Sequence, residues 1–405
     1  MSLENDPRWT ALLERLTLDR PVAGSAELVG RRDAIARVFD VVGSAGEHIV
    51  IFGEQGVGKT SLLNALAEEL RGAGVGVFQA AAQPGDSFDS LIRRAVGETQ
   101  GVPNDEMRFV PLPPGSDDDG DPLAEMLPEG EASPAEIAEF LDQTLAGHPV
   151  LMLDDYDRLD DPMADRAICD LVKALAESKS QATVILCGRA GHAEDLIADH
   201  DRVFDFLVEV PLRLFRPGET LHVLDRAAEA TSLAIEDDAR KLILTASLGL
   251  PGAVQILGRD AIATALRNGD GAVGAEAVLK AFESAIEALA PAVRDPIDMV
   301  IGDDPEDDLA QTLFAVAAAH TDGFGRFFKA QVMVSLRRRY PHLDEGEEAL
   351  VATLDSLSGE ASDSIFRKHG TGYRFASIWM KHYLLLRYLS WRHSRVDTGQ
   401  IRAVS

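Results

Sequence analysis

The sequence predicts an α/β protein in which a helix-covered parallel sheet is followed by a helical region and then by three helices and a hairpin. Three observations predict it. From His48 to Val210, short apolar runs alternate with segments of helical period, the pattern of parallel strands joined by crossover helices. One of these runs, His48–Phe52, passes directly into Gly53-Glu-Gln-Gly-Val-Gly-Lys-Thr60 and then into a helical stretch. From Pro217 to Arg267 only helical periods remain, broken once at Leu248-Gly-Leu-Pro-Gly252.

Taken in order, residues 1-27 read as a lead-in with one helix, Pro7 to Leu18. Leu28-Val-Gly-Arg-Arg-Asp33 opens a helix through Val42. His48–Phe52 is the first strand. Val75–Ala80 is the second, and Ser87–Val96 is helical. Residues 98-133 stand apart: between Pro103 and Ser133 nine acids face one Arg, among many Pro and Gly, which predicts a solvated, disordered insertion. Regular structure resumes at Ser133-Pro-Ala-Glu136, a capping box with Pro at the first helical position. Pro149–Asp155 is the third strand, ending in two carboxylates, Met163–Glu177 a helix, Ala182–Arg189 the fourth strand and Phe206–Val210 the fifth. Beyond the helical region, Ala275–Ala290 is a helix closed by Pro291 and Pro296, and Asp303–Asp308 is an acidic linker. Helices at Leu309–His320, Phe327–Arg339 and Glu347–Leu357 and a hairpin at Ile365–Ala376 give the winged-helix order. Ile378–Leu389 is a last, aromatic-rich helix.

The loop carries the chemistry. G-x-x-x-x-G-K-T between a strand and a helix is a phosphate-binding loop. Its glycines let successive backbone N–H groups curl around an anion, and the helix N-terminus adds partial positive charge. Gly53, Glu54, Gln55, Gly56, Val57, Gly58, Lys59, Thr60 and Ser61 are therefore the nucleotide-binding residues. Lys59 reaches the β- and γ-phosphates and Thr60 holds Mg²⁺ through its hydroxyl.

An apolar strand ending in an acid supplies the other Mg²⁺ contact. Asp154 ends the Val150–Leu153 run and is the metal-side carboxylate. Asp155 is next in line to orient an attacking water, and Asp157, Asp160 and Asp161 crowd the same loop. Arg189 closes the fourth strand at the same sheet edge, where it can contact the γ-phosphate. Arg202, just before the fifth strand, can act as an arginine finger on a neighbouring subunit. No Asn-Lys-x-Asp sequence occurs, so adenine is the default base and ATP with Mg²⁺ the expected cofactor pair.

Composition narrows the classes. The chain has 405 residues, enough for two or three domains. No apolar run approaches bilayer-spanning length, so no membrane is expected. The N-terminal MSLENDPRW is acidic and polar, unlike a secretory signal. Cys169 and Cys187 lack metal-ligand spacing and read as free thiols of a cytoplasmic protein. A net charge of −28 repels nucleic acid at long range.

With these pieces placed, residues 28-390 resemble the AAA+/STAND group of P-loop ATPases. Leu28-Val-Gly-Arg-Arg-Asp33 is similar to the group's adenine-proximal "hVGR" segment, which implies a base contact for Arg31. Gly53–Thr60 resembles Walker A and Val150–Asp155 Walker B. Leu186-Cys-Gly-Arg189 resembles the sensor arginine of NB-ARC-like switches, and Gly249-Leu-Pro-Gly-Ala-Val-Gln-Ile-Leu-Gly258 their "GLPLAL" box, which implies that Pro251 sits against adenine in a helical lid. Arg202 resembles the finger of origin-recognition-type proteins. The resemblance implies a P-loop NTPase parallel sheet with a helical lid and a C-terminal winged-helix domain: lead-in 1-27, ATPase domain 28-212 with the insertion 98-133, lid 213-300, winged helix 306-392 and tail 393-405.

Two functions compete. One is an ATP-hydrolysing switch, slow or partner-stimulated, whose nucleotide state controls assembly into a homo-oligomer or binding of protein partners. The other is a DNA-bound initiator or loader. Asp344-Glu-Gly-Glu-Glu348 opens the helix that should enter the major groove, which disfavours DNA as the partner. A small-molecule kinase is a third class, and no acceptor site is evident for it.

Overall fold

The computed structural model describes residues 6–16, 28–97, 127–128, 130–144, 148–197, 202–302, 304–322, 325–343, 346–359, 361 and 363–397. The acidic stretch 98–126, Asp199–Asp201, Asp303, Asp344, Glu345, Glu360 and the tail from 398 lie outside them. Two compact units are present: residues 21–54 with 58–212, and residues 1–20 with 55–57 and 213–405.

The first unit is built on five parallel strands: β1 (His48–Gly53), β2 (Val77–Ala81), β3 (Val150–Asp154), β4 (Thr183–Arg189) and β5 (Leu207–Pro211), in the order β2-β3-β4-β1-β5. Every residue of β1 and β3 is buried. That is why these strands read as unbroken apolar runs rather than alternating ones: helices cover both faces of a parallel sheet. After α1 (Pro7–Arg15), which belongs to the second unit, the helices of this unit are α2 (Arg32–Val41), α3 (Lys59–Gly72), α4 (Phe88–Gly97), α5 (Pro134–Thr144) and α6 (Pro162–Glu177), and the short α7 (Ala193–Leu196) follows β4. The predicted capping box starts α5: the Ser133 amide donates to Glu136 Oε2 at 2.8 Å, and the Glu136 amide donates back to Ser133 Oγ at 3.3 Å. On α6, Ala164, Ile168, Leu171, Val172 and Leu175 are buried at helical spacing.

The end of the acidic stretch departs from the expected solvated insertion. Leu127 and Ala132 are buried. Arg93 on α4 donates to the Pro128 and Gly130 carbonyls at 2.7 and 2.5 Å, and Asp89 accepts the Ala132 amide at 2.9 Å. Leu127, Ala132 and the Arg93–Asp89 pair tie the described residues before the capping box to α4 and the core of this unit.

The second unit begins with α1. Leu12 and Leu16 bury fully in one cluster with Leu224, Leu257, Ile262 and Phe282, so the lead-in helix belongs to the helical region. That region holds α8 (Pro217–Thr231), α9 (Asp237–Ser247), α10 (Pro251–Asn268), α11 (Ala275–Ala288) and α12 (Pro291–Ile301). It is not purely helical: β6 (Ala234–Ile235) pairs in parallel with β7 (Ala272–Val273). Pro291 does not simply close the preceding helix. It is the first residue of α12, where its missing N–H costs nothing, and Pro296 lies inside that helix.

The Leu248–Pro251 turn has a backbone reason for its glycine. Gly249 has φ +74°, its carbonyl accepts the Phe215 amide at 2.7 Å, and a Cβ there would lie 2.3 Å from the Phe215 carbonyl oxygen. Gly269 has φ +76° with open space around it. Gly269→Ala is expected to cost about 1 kcal/mol, the left-handed strain alone. Gly249→Ala is expected to cost about 3 kcal/mol, strain plus the lost backbone pairing. Urea denaturation of both variants checks this, and equal losses would refute the close-approach argument.

The C-terminal part follows with α13 (Asp308–Ala317), α14 (Lys329–Arg339), α15 (Glu347–Ser356), the antiparallel pair β8 (Phe366–His369) and β9 (Gly372–Phe375), and α16 (Ile378–Asp397). Phe327, Phe366 and Phe375 form an aromatic centre, with Phe366 and Phe375 edge to face at 4.9 Å. The last helix runs eight residues past the expected Leu389, into the region read as tail. No helix among the described residues is long and apolar enough to cross a membrane.

Candidate nucleotide-binding site

β1 and β4 pair to their last residues, Gly53 opposite Arg189, and β3 carries Asp154 one step beyond the Leu153–Leu186 pair. Because the strands are parallel, Gly53, Asp154 and Arg189 share the carboxyl edge of the sheet, where open α/β sheets bind ligands. The sequence placed these residues on three separate strands, and the register brings them together.

At this edge the chain leaves β1, turns through the loop and enters α3 at Lys59. Gly58 caps the helix with φ +90°, a conformation that needs glycine and lets the chain enter α3 without a side chain. Thr60 and Ser61 follow in the first turn of α3. Lys59 is buried, and its ammonium donates to the Gly53 and Glu54 carbonyls at 3.2 Å each. Among the described residues no carboxylate comes within ion-pair distance of it. A buried cation held only by two neutral acceptors in a ring of backbone groups is a donor set for an anion.

Asp154 is buried and its Oδ1 accepts the Asp155 amide at 2.8 Å. Asp155 has φ +48° and caps the short turn Tyr156–Arg158. Burial raises its carboxyl pKa above the usual aspartate value, and the negative charges of Asp154 and Asp157 add to the effect. The Cys187 thiol is fully buried on β4; burial first, and the Asp154 charge second, push its pKa well up. Sequence reasoning set Cys187 aside as a free thiol. Its place beside Asp154 comes from β4 lying next to β3 in the sheet. The donor set fits ATP with Mg²⁺: backbone amides and Lys59 for phosphate, with the Thr60 hydroxyl and Asp154 carboxylate as hard oxygen ligands.

The crowd of acids after Asp155 is not a metal cluster. No group of three or more His, Cys, Asp or Glu able to hold a metal exists among the described residues. Asp160 Oδ1 accepts the Gly85 amide at 2.7 Å, and Asp161 caps α6 through the Met163 amide at 2.9 Å.

Four further sequence candidates remain. Arg31 is buried at the start of α2. Arg189 is exposed at the end of β4. Arg202 has φ +72°, its side chain is 81% exposed, and its Nε lies 3.8 Å from Asp205 Oδ2. Pro251 is buried as the first residue of α10, in the other unit.

Residues 27–186 match a family described as the AAA ATPase domain. No curated protein matches the chain. Among solved structures it is similar to a Walker-type ATPase of Pyrococcus abyssi, with TM-score 0.54 and 16% identity, covering 91% of this chain and 99% of that one. It is also similar to the Aeropyrum pernix ORC2 protein, with TM-score 0.49, 15% identity and coverages of 94% and 98%. The Thermotoga maritima RuvB branch migration motor follows with TM-score 0.46, 15% identity and coverages of 90% and 97%. The likeness to the Pyrococcus protein concerns fold alone. Residues 27–186, the stretch that matches the AAA ATPase domain family, contain the loop after β1, Asp154 and Asp155.

Proposed function

We propose that the protein is an ATP-binding and ATP-hydrolysing switch whose nucleotide state controls assembly or partner binding. The observation that carries this reading is the buried Lys59 ammonium, without a carboxylate, at the head of α3 and on the sheet edge that holds Asp154 and Asp155. Lys59 and the amides of Gly53 to Thr60 bind the β- and γ-phosphates. Thr60 and Asp154 hold Mg²⁺, which when bound neutralises charge developing on the phosphate oxygens. Asp155 orients the attacking water. Arg189 contacts the γ-phosphate, and Arg31 contacts the adenine. The C-terminal helices and hairpin act as a winged helix used for protein contact.

The charge pattern favours protein contact over DNA in that last region. Lys368, on the hairpin, is paired with Asp355 at 2.8 Å, and Lys329 is paired with Glu347. A phosphate backbone would have to displace those carboxylates, in a chain of net charge −28.

Assembly is tested through Arg202. Its loose ion pair and outward exposure leave the guanidinium available to a neighbour's γ-phosphate site. Arg202→Ala is expected to bind ATP normally and hydrolyse it at least tenfold more slowly, since an arginine in trans is worth several orders of magnitude. Wild-type specific activity should rise with protein concentration. Mixing Arg202→Ala with Lys59→Ala should restore activity, one supplying the site and the other the finger. A dead mixture, with a wild type that stays monomeric in ATP by light scattering, would mean that hydrolysis proceeds in cis.

A further inference from the structure

Asp157 lies two residues beyond Asp155, on an exposed turn, and contacts a strand end 32 residues away in the chain. Its Oδ1 accepts the Arg189 backbone N–H at 2.7 Å. β3 and β4 pair only as far as Leu153 and Leu186, so nothing in the β3–β4 ladder reaches the last residues of β4. The Asp157 carboxylate takes over there, as a side-chain continuation of the ladder. The approach is close: a Cβ at Gly188 would lie 3.0 Å from both the Asp157 amide nitrogen and its Oδ1, and 2.4 Å from Leu196 Cδ1.

The same turn holds Asp155. The Asp155 amide donates to Asp154 Oδ1 at 2.8 Å, and its carbonyl accepts the Arg158 amide at 2.8 Å. Asp157 is therefore the point at which the turn bearing Asp155 is fastened to the strand end bearing Arg189. We propose that Asp157 is a positioning residue that holds Asp155 and Arg189 in mutual register through its bond to the Arg189 amide. The inference rests on the hydrolysis reading above, in which those two side chains act on the same phosphate. What Asp157 supplies to that bond is an acceptor oxygen, which asparagine would also supply.

That distinction gives the test. Asparagine keeps the acceptor oxygen and loses the charge, whereas alanine loses both. Asp157→Ala is expected to lower single-turnover ATP hydrolysis roughly ten- to hundredfold, the scale of losing a supporting contact that fixes reactive geometry. ADP affinity, followed with a fluorescent analogue, should stay within about twofold, because the phosphate loop is untouched. Asp157→Asn should hydrolyse within about threefold of wild type. Gly188→Ala, which pushes the turn from the strand side, should behave like Asp157→Ala. Hydrogen exchange over 186–190 should accelerate in Asp157→Ala and not in Asp157→Asn. If Asp157→Asn is as slow as Asp157→Ala, the charge matters and the positioning role is wrong. Wild-type rates or unchanged exchange in Asp157→Ala also overturn it, as does an equal loss of ADP affinity and rate. A wild type that binds ATP but never releases phosphate would defeat the hydrolysis reading instead, and the exchange measurement would still decide whether the tether exists.

Discussion

Lys59→Ala is expected to abolish nucleotide binding, with an affinity loss of a hundredfold or more. The lysine is the one side-chain cation buried in the loop, and each charge-assisted bond it would make to a phosphate oxygen is worth about 1.5–3 kcal/mol. Two such bonds correspond to roughly two to four powers of ten in dissociation constant. The folded protein should not suffer in parallel. A buried ammonium facing two carbonyls 3.2 Å away and no carboxylate is poorly compensated. Lys59→Met, which keeps the volume and discards the charge, should therefore melt at or above the wild-type temperature without ligand. Titration of a fluorescent ATP analogue against both variants, with melting curves with and without ATP, separates the effects. Wild-type affinity in either variant would remove the phosphate site from this loop.

Asp155→Asn is expected to bind ATP as the wild type does and to hydrolyse it roughly 10²- to 10³-fold more slowly, within the usual range for a positioned base. Asparagine suits this position because it tolerates the left-handed conformation that Asp155 adopts at φ +48°. Backbone strain then does not confound the result. The pH dependence follows from the direction of its shift. Burial and the adjacent Asp154 and Asp157 charges favour the protonated form, so the free protein's Asp155 ionises at higher pH than an ordinary aspartate. The acid limb of kcat/KM should accordingly lie above the ordinary aspartate range: activity is present above it and lost as pH falls through it. The residual activity of Asp155→Asn should lack that limb. Hydrolysis within threefold of wild type in Asp155→Asn would show that another group positions the water.

The sequence by itself determined the chemistry that is local in the chain. The turn from β1 into α3 was legible because the phosphate-loop pattern fixes glycines, a lysine and a threonine at set spacing between a strand and a helix. β1, β3 and β4 were legible because burial on both faces forces unbroken apolar runs. The capping box at Ser133 was legible because both partners lie within one turn. Pro291 was misread because proline is as compatible with the first position of a helix as with the end of the preceding one. The tertiary structure alone decided what depends on distant partners. Strand order set Cys187 beside Asp154 and Arg189 opposite Gly53. Burial of Leu12 and Leu16 assigned the lead-in helix to the helical region, where an amphipathic segment had no address in its own residues. The acids after Asp155 read only as a crowded acidic loop, because nothing near them in sequence distinguishes a solvated carboxylate from one that accepts a specific amide. Asp157 finds its amide at Arg189 and Asp160 at Gly85, 32 and 75 residues away, and only the folded sheet brings those loops within a hydrogen bond.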